Sequence, residues 1–282
     1  MRGRKFRIGV TAPASRLDPA VPDKIVALAS KLYGSEAPEI VFHPQCFLSS
    51  GHFAGEDSAR AQAFLDIAND ESFDALWFAR GGYGSNRIAS DVIPHMKDAA
   101  RKKTYLGYSD TGFLLAGLYK AGFPHLAHGP VIADINRAGG DEAVTRGLRY
   151  LFERDTTTLE PSVSATTPSA AFNIKIVSSM IGTDLLPDLS GLVLMLEETS
   201  EYMYSIDRMM FQITAHPPLR KLAGIRLGRC SAIPDNDPPF GQNAEDVVKH
   251  WCTLSGIPYL GSADIGHDVA NKVVPFGRFP AV

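Results

Sequence analysis

Thr104-Tyr-Leu-Gly-Tyr-Ser-Asp-Thr-Gly-Phe-Leu-Leu-Ala-Gly-Leu-Tyr119 runs from a short β-prone segment, through a lone serine, straight into an apolar helical pattern. A serine on so tight a strand-to-helix turn is lifted out of the sheet and lies beside helix N–H groups. That is the geometry of a nucleophile elbow, with Ser109 Oγ exposed and an oxyanion site next to it. The spelling is Gly-x-Ser-x-x-Gly, not the Gly-x-Ser-x-Gly of α/β-hydrolases, so that fold is not implied. Ser109 or Asp110 is equally placed to cap the following helix, and the local pattern leaves both roles open.

The same β-α unit repeats upstream. Phe6-Arg-Ile-Gly-Val-Thr11 reads as a buried strand, and Ile25, Leu28, Ala29 and Leu32 form a helical stripe that stops at Gly34. Glu39-Ile-Val-Phe42 and Ala75-Leu-Trp-Phe78 are further strands, separated by a helical pattern led by Asp57 or Ser58 as N-cap. Such repetition predicts a parallel sheet covered on both faces, with ligands at the carboxyl ends of its strands. Arg80-Gly-Gly-Tyr-Gly84 and Ser109 both fall there. Asp141 to Arg154 predicts one more helix, and residues 155–169, rich in Thr, Ser and Pro, a linker. Gly191-Leu-Val-Leu-Met-Leu196 is then an apolar strand ending in Glu197-Glu198, followed by a helix with Met203, Ile206, Met210 and Ile213 on its core side.

At 282 residues two domains are expected. A net charge of −3 speaks against a nucleic-acid surface, and no apolar run approaches the roughly 20 residues of a membrane helix. A basic start at Arg2, Arg4, Lys5 and Arg7 lacks the apolar run of a signal peptide, so a cytoplasmic protein is expected. Cys46, Cys230 and Cys252 lack metal-ligand spacing and predict reduced thiols, with neither a metal nor another cofactor.

A serine nucleophile needs a histidine to take its proton and a carboxylate to orient that histidine. Glu197, at the end of an apolar strand, is the clearest carboxylate, with Glu198 and Glu201 competing. His267, in a glycine-rich turn, suits a mobile base, and His128 in Ala127-His-Gly-Pro130 is its rival. Paired glycines in Arg80-Gly-Gly-Tyr-Gly84 let backbone N–H groups approach an anion, whereas as a dinucleotide fingerprint the loop lacks the third glycine.

At these residues the chain resembles the LD-carboxypeptidase family of serine peptidases, which includes the microcin C immunity peptidase. The motifs fall in order along nearly the whole chain: Thr11-Ala-Pro-Ala-Ser15, Arg80-Gly-Gly-Tyr-Gly84, Gly107-Tyr-Ser-Asp110, His128-Gly-Pro130, Leu196-Glu197-Glu198-x-x-Glu201, Tyr204-x-Ile-Asp-Arg208 and Gly266-His267. The resemblance implies Ser109 as nucleophile, Glu197 as orienting carboxylate, His267 as base, and the N–H groups of Gly82 and Asp110 as oxyanion hole. It also implies a flavodoxin-like parallel-sheet domain over residues 1–155, a linker over 156–170 and a smaller β-rich domain over 171–282, commonly as a homodimer. The implied substrate is a muropeptide tetrapeptide that loses its terminal D-alanine. Arg80 and Arg87 are candidates for its free carboxylate. The alternatives are an immunity-type peptidase acting on aminoacyl or peptidyl nucleotides and, more remotely, a non-catalytic module holding a small anion at Gly81-Gly82. Ala171-Phe-Asn173 stands where many relatives have Gly-Gly-Asn, and Phe172 is large enough to narrow a nearby pocket.

Overall fold

A computed structural model describes residues 4–279, and its two parallel sheets account for most of the strand patterns above. The first half supplies β1 (Arg7–Thr11), α1 (Val21–Tyr33), β2 (Glu39–Phe42), α2 (Asp57–Asn69), β3 (Ala75–Phe78), α3 (Asn86–Val92), α4 (Asp98–Arg101), β4 (Thr104–Gly107), α5 (Gly112–Lys120), β5 (Leu126–His128) and α6 (Gly140–Leu148). The second half supplies β6 (Ser169–Asn173), α7 (Ile174–Met180), β7 (Val193–Thr199), α8 (Met203–Ala215), β8 (Gly224–Ser231), α9 (Ala244–Ser255), β9 (Tyr259–Ser262) and β10 (Val274–Pro275).

The first sheet has the order β10-β5-β4-β3-β1-β2, parallel except for β10, which pairs antiparallel with β5. Its five parallel strands thus follow the flavodoxin order 2-1-3-4-5. Strand alternation sorts the core. Ala75 and Trp77 of β3, with Leu106 of β4, pack beneath Ile25 of α1 and Val144 and Leu148 of α6. Leu76, Phe78 and Tyr105 point the other way, onto Phe64, Ile88 and Leu114 of α2, α3 and α5. The buried Trp77 indole is satisfied by the Pro130 carbonyl at 2.6 Å.

The second sheet, β6-β7-β8-β9, is entirely parallel. Leu194 and Leu196 on β7 and Ile225 on β8 pack on Val177, Ile206, Ile213 and Val248, from the helices α7, α8 and α9 that follow its strands. That apolar cluster is continuous with the α5 side of the first sheet. Phe172 of β6 belongs to it and does not border the cleft described below. The ring is 2% exposed and stands edge-on to Phe276 at 5.0 Å. A side chain on Gly112 would come within 3.2 Å of it. The expectation that Phe172 narrows a pocket is therefore corrected, because the ring fills the core between the sheets.

Two boundaries differ from the sequence pattern. α2 starts at Asp57 itself, whose carboxylate turns to Arg60 and Arg87 instead of capping the helix. The helix expected to reach Arg154 leaves α geometry after Leu148, passes through a wider π turn at Arg149–Glu153 and stops at Arg154 in the left-handed region. No described helix is long and apolar enough to cross a membrane.

Candidate active site

β4 delivers its last residue, Gly107, against Phe78, where any side chain would meet the ring at 2.6 Å. Tyr108 is still extended, and Ser109 then adopts φ 62°, the left-handed region that L-residues seldom enter. Such a residue costs on the order of 1–3 kcal/mol and persists only where its surroundings hold it. The Thr111 hydroxyl holds the turn by donating to the Tyr108 carbonyl at 2.9 Å, and α5 begins directly behind it.

The glycine loop after β3 lies against the serine. A Cβ on Gly81 would stand 2.7 Å from Ser109 Cβ, 2.8 Å from its Oγ and 3.5 Å from the Asp110 nitrogen. Gly82 has φ +110°, and a side chain there would collide with Ser15, from the loop after β1. Asp110 turns its carboxylate inward to accept from the Ser85 N–H at 2.7 Å, and burial raises its pKa. Arg60, fully buried, donates to the carbonyls of Pro13, Gly84 and Gly55 and so ties the β1 and β3 loops together.

The second sheet brings two more groups to the same point. Glu197 on β7 is fully buried, and its Oε2 lies 2.7 Å from His267 Nδ1. His267 Nε2 lies 3.0 Å from Ser109 Oγ. With the ring proton on Nδ1 donated to Glu197, Nε2 is left to accept the serine proton. Burial opposes a charged His267. The hydrogen bond that the ring donates to Glu197, with the charges of Glu197 and Glu198, outweighs it, and the pKa rises above 6.5.

The alternation of β7 separates the competing carboxylates. Glu198 accepts from the Lys175 N–H at 2.7 Å, at the start of α7, and from the Thr199 N–H at 2.9 Å. Glu201 pairs with Lys175 Nζ at 3.0 Å. Only Glu197 of the three contacts His267. The rival His128 is buried and bonds Asn271 Oδ1 through Nε2 at 3.1 Å, and burial takes its pKa down to about 4.

Several residues that the sequence reading passed over hold this arrangement. Asn271 Oδ1 accepts from the Gly266 N–H at 3.2 Å, bracing the turn that carries His267. Arg229 grips both ends of that turn, through Asp264 at 2.6 Å and Asp268 at 2.9 Å. Arg137 donates to the His267 carbonyl at 2.7 Å and to Asp134 Oδ1 at 2.9 Å, and the Tyr108 hydroxyl donates to the same oxygen at 3.0 Å. The Tyr108 ring centroid is 4.9 Å from that of His267. The spacing Asp134-x-x-Arg137, one helical turn apart, was the available signal for that pair.

A cleft of about 620 Å³ opens over Ser109 and His267, bordered by Asp18, Arg80, Gly82 and Arg137. Arg80 is exposed at its rim. Arg87 departs from expectation. Its guanidinium is held by Asp57 at 2.7 Å and lies over Phe53, and it does not line the cleft. Among the described residues no group of three or more His, Cys, Asp or Glu is placed to hold a metal ion.

Comparison with known proteins agrees with this architecture. A model of the LD-carboxypeptidase N-terminal domain matches residues 8–129, and one of the LD-carboxypeptidase C-terminal domain matches residues 169–281. A Synechocystis sp. protein with a provisional carboxypeptidase name is 30% identical over 245 residues, 85% of this chain and 79% of its own. A Bacillus subtilis protein with a provisional murein peptide carboxypeptidase name is 26% identical over 285 residues, 98% of this chain and 88% of its own. The solved structure of MccF with glutamyl sulfamoyl guanosine shares the fold, with a TM-score of 0.78 at 15% identity, covering 98% of this chain and 92% of that one. Fold and relatives together define a peptidase, a hydrolase of amide bonds. The chain belongs to the LD-carboxypeptidase family.

Proposed function

We propose that Ser109, His267 and Glu197 are the catalytic triad of a serine carboxypeptidase that releases the terminal D-alanine from murein tetrapeptides, cutting the amide between an L-configured centre and D-Ala. The observation that carries this reading is the unbroken hydrogen-bond chain from Ser109 Oγ through His267 to Glu197. A binding module has no use for that chain. His267 Nε2 takes the hydroxyl proton as Ser109 Oγ attacks the carbonyl carbon, and the buried Glu197 carboxylate stabilises the imidazolium. The N–H groups of Gly82 and Asp110 receive the oxyanion, each worth on the order of 10²–10³ in rate. The imidazolium then protonates the departing D-Ala amine, and water, deprotonated by the same ring, releases the acyl group from Ser109. Arg80, exposed at the cleft rim beside the serine, is the receptor for the substrate's carboxylate. In this reading residues 1–155 carry the nucleophile, residues 171–282 supply Glu197 and His267, and the segment between them is the linker.

Among the relatives that support it is the Bacillus subtilis protein with the murein peptide name. The fold shared with MccF favours one second reading: the same triad acting on an aminoacyl or peptidyl nucleotide. Mass spectrometry of a murein tetrapeptide incubation tests the first, with tripeptide plus free D-Ala expected. Cleavage of a processed microcin-type substrate with the tetrapeptide left intact overturns it in favour of the second. Failure of a fluorophosphonate to label Ser109, alongside tight anion binding, overturns both.

A further inference from the structure

The Gly84–Ser85 peptide group is gripped at both of its polar ends by buried charges of opposite sign. Its carbonyl accepts from Arg60 Nη1 at 2.8 Å, and its N–H donates to Asp110 Oδ2 at 2.7 Å. Arg60 and Ser85 are fully buried, and Asp110 is 3% exposed. A second bond closes the junction, from the Ser85 hydroxyl to the Asp110 carbonyl. Burial pushes the Asp110 carboxyl up, while the N–H groups of Ser85 and Gly84 and the Arg60 charge pull it back. Either charge is costly to bury alone, and the peptide dipole between them compensates both.

The junction adjoins the oxyanion hole. Asp110 follows the nucleophile, and its own N–H is one of the two donors named above. The other, the Gly82 N–H, lies two residues before Gly84, at most about 7 Å away along the backbone. On the upstream side the Gly81 carbonyl accepts from the Ser15 N–H at 3.4 Å, and Gly81 itself lies against Ser109. The glycine loop is thus tied on both sides of Gly82. A Cβ on Gly84 would stand 2.7 Å from Phe53 and 3.1 Å from Arg60 Nη1, so the loop has no room to shift. Asp110 therefore supplies one donor through its backbone and fixes the loop of the other through its side chain. Donors stabilise an oxyanion only at hydrogen-bond distance, so their mutual spacing decides how much they contribute.

We infer that the Asp110 side chain is a positioning group for the oxyanion hole, and that with Ser85 and Arg60 it sets the spacing between the Gly82 and Asp110 N–H groups. The inference rests on the triad reading above and extends it to side chains that touch no substrate atom.

The test uses the full chain and two tetrapeptides, one with the ordinary scissile amide and one with a thioamide in its place. Sulfur is the weaker hydrogen-bond acceptor, so the preference for the oxo peptide reads the hole apart from the nucleophile and the base. Asp110→Asn leaves one acceptor oxygen where the carboxylate has two. It should lower kcat on the oxo peptide by about 10², the loss for a misplacement of about 1 Å, with KM within about twofold. The oxo-over-thio preference should shrink by a similar factor. Arg60→Lys keeps the charge but loses the planar fork that spans the Pro13 and Gly84 carbonyls, and should act alike from the far end of the peptide. Ser85→Ala keeps the peptide N–H and loses only the hydroxyl bond, and should cost about tenfold. The acid limb of kcat/KM should stay in place in all three, because His267 and Glu197 are untouched. The rate at which a fluorophosphonate labels Ser109 should fall in step, since its phosphoryl oxygen enters the same hole whichever substrate is the natural one. A fall in kcat with the oxo-over-thio preference unchanged, or with the acid limb displaced, overturns the inference and leaves these residues holding the fold alone. Labelling of Asp110→Asn at the unaltered rate overturns it while leaving the triad standing. Failure of the unaltered protein to be labelled overturns the triad reading itself.

Discussion

The two sheets equip one site by different physical means. The first contributes through backbone shape: Ser109 in the left-handed region, and glycines at 81 and 82 where a Cβ has no room. The second contributes through side-chain electrostatics, a fully buried Glu197 and a His267 whose pKa that carboxylate raises against the pull of burial. Damage to the first half should therefore be steric and insensitive to pH, whereas damage to the second should move pH profiles.

The largest effect belongs to the atom where the halves meet. Ser109→Ala should lower turnover of the tetrapeptide by on the order of 10⁶, measured as D-Ala release with folding checked by circular dichroism. Retention of near-normal release would sink the triad. Glu197→Gln should cost about 10⁴ in kcat, because the amide no longer fixes the imidazole tautomer. It should also move the acid limb. In the native protein kcat/KM should fall as pH drops through a value above 6.5, since the protonated ring cannot act as base. Without the Glu197 charge burial acts with less opposition, and the limb should shift to lower pH. The folding linkage has the opposite sense: a raised histidine pKa contributes stability present below the unfolded value and lost as pH rises through the folded one. A limb that stays put in Glu197→Gln would erase the electrostatic half of the contrast.

Gly81→Ala probes the steric half. Its methyl group must push Ser109 aside, and a misplacement of about 1 Å costs roughly 10²-fold. That loss should appear with the pH profile unchanged. The smallest effects separate the two arginines. Arg80→Ala should raise KM for the tetrapeptide about tenfold through loss of a charge-assisted contact. Arg87→Ala should leave KM within about twofold, since surface pairs such as that with Asp57 contribute little. A reversal of the two would move the carboxylate receptor to Arg87.

The sequence revealed these halves unequally. Strands β1, β3 and β4 are short apolar runs with glycine or turn residues behind them, so the parallel sheet and the strand-end position of Ser109 could be read from local pattern. Which carboxylate meets a histidine could not, because Glu197 and Glu198 differ only in the face of β7 they point from. That face is set by the register with β6 and β8. Likewise His128 and His267 each follow or precede a glycine, and only tertiary burial separates them. Arg60 and Arg137 were passed over because the three-residue spacing to Asp57 and Asp134 is equally common between solvated side chains, and their remaining partners are backbone carbonyls of distant loops, which leave no pattern in the chain. Arg87 misled because its partner, Asp57, lies 30 positions away.

The short strand β10 carries a consequence for how the molecule can be divided. Seven residues after His267 the chain crosses back and closes the free edge of β5, at Val274 opposite His128. A fragment ending at residue 155 would expose that edge, a template for self-association. The complementary fragment would carry a strand with no sheet to join. Neither should persist alone at high concentration, yet the two expressed together should reassemble into an active non-covalent pair. The chain is thus a candidate for split-protein complementation, with D-Ala release as its signal.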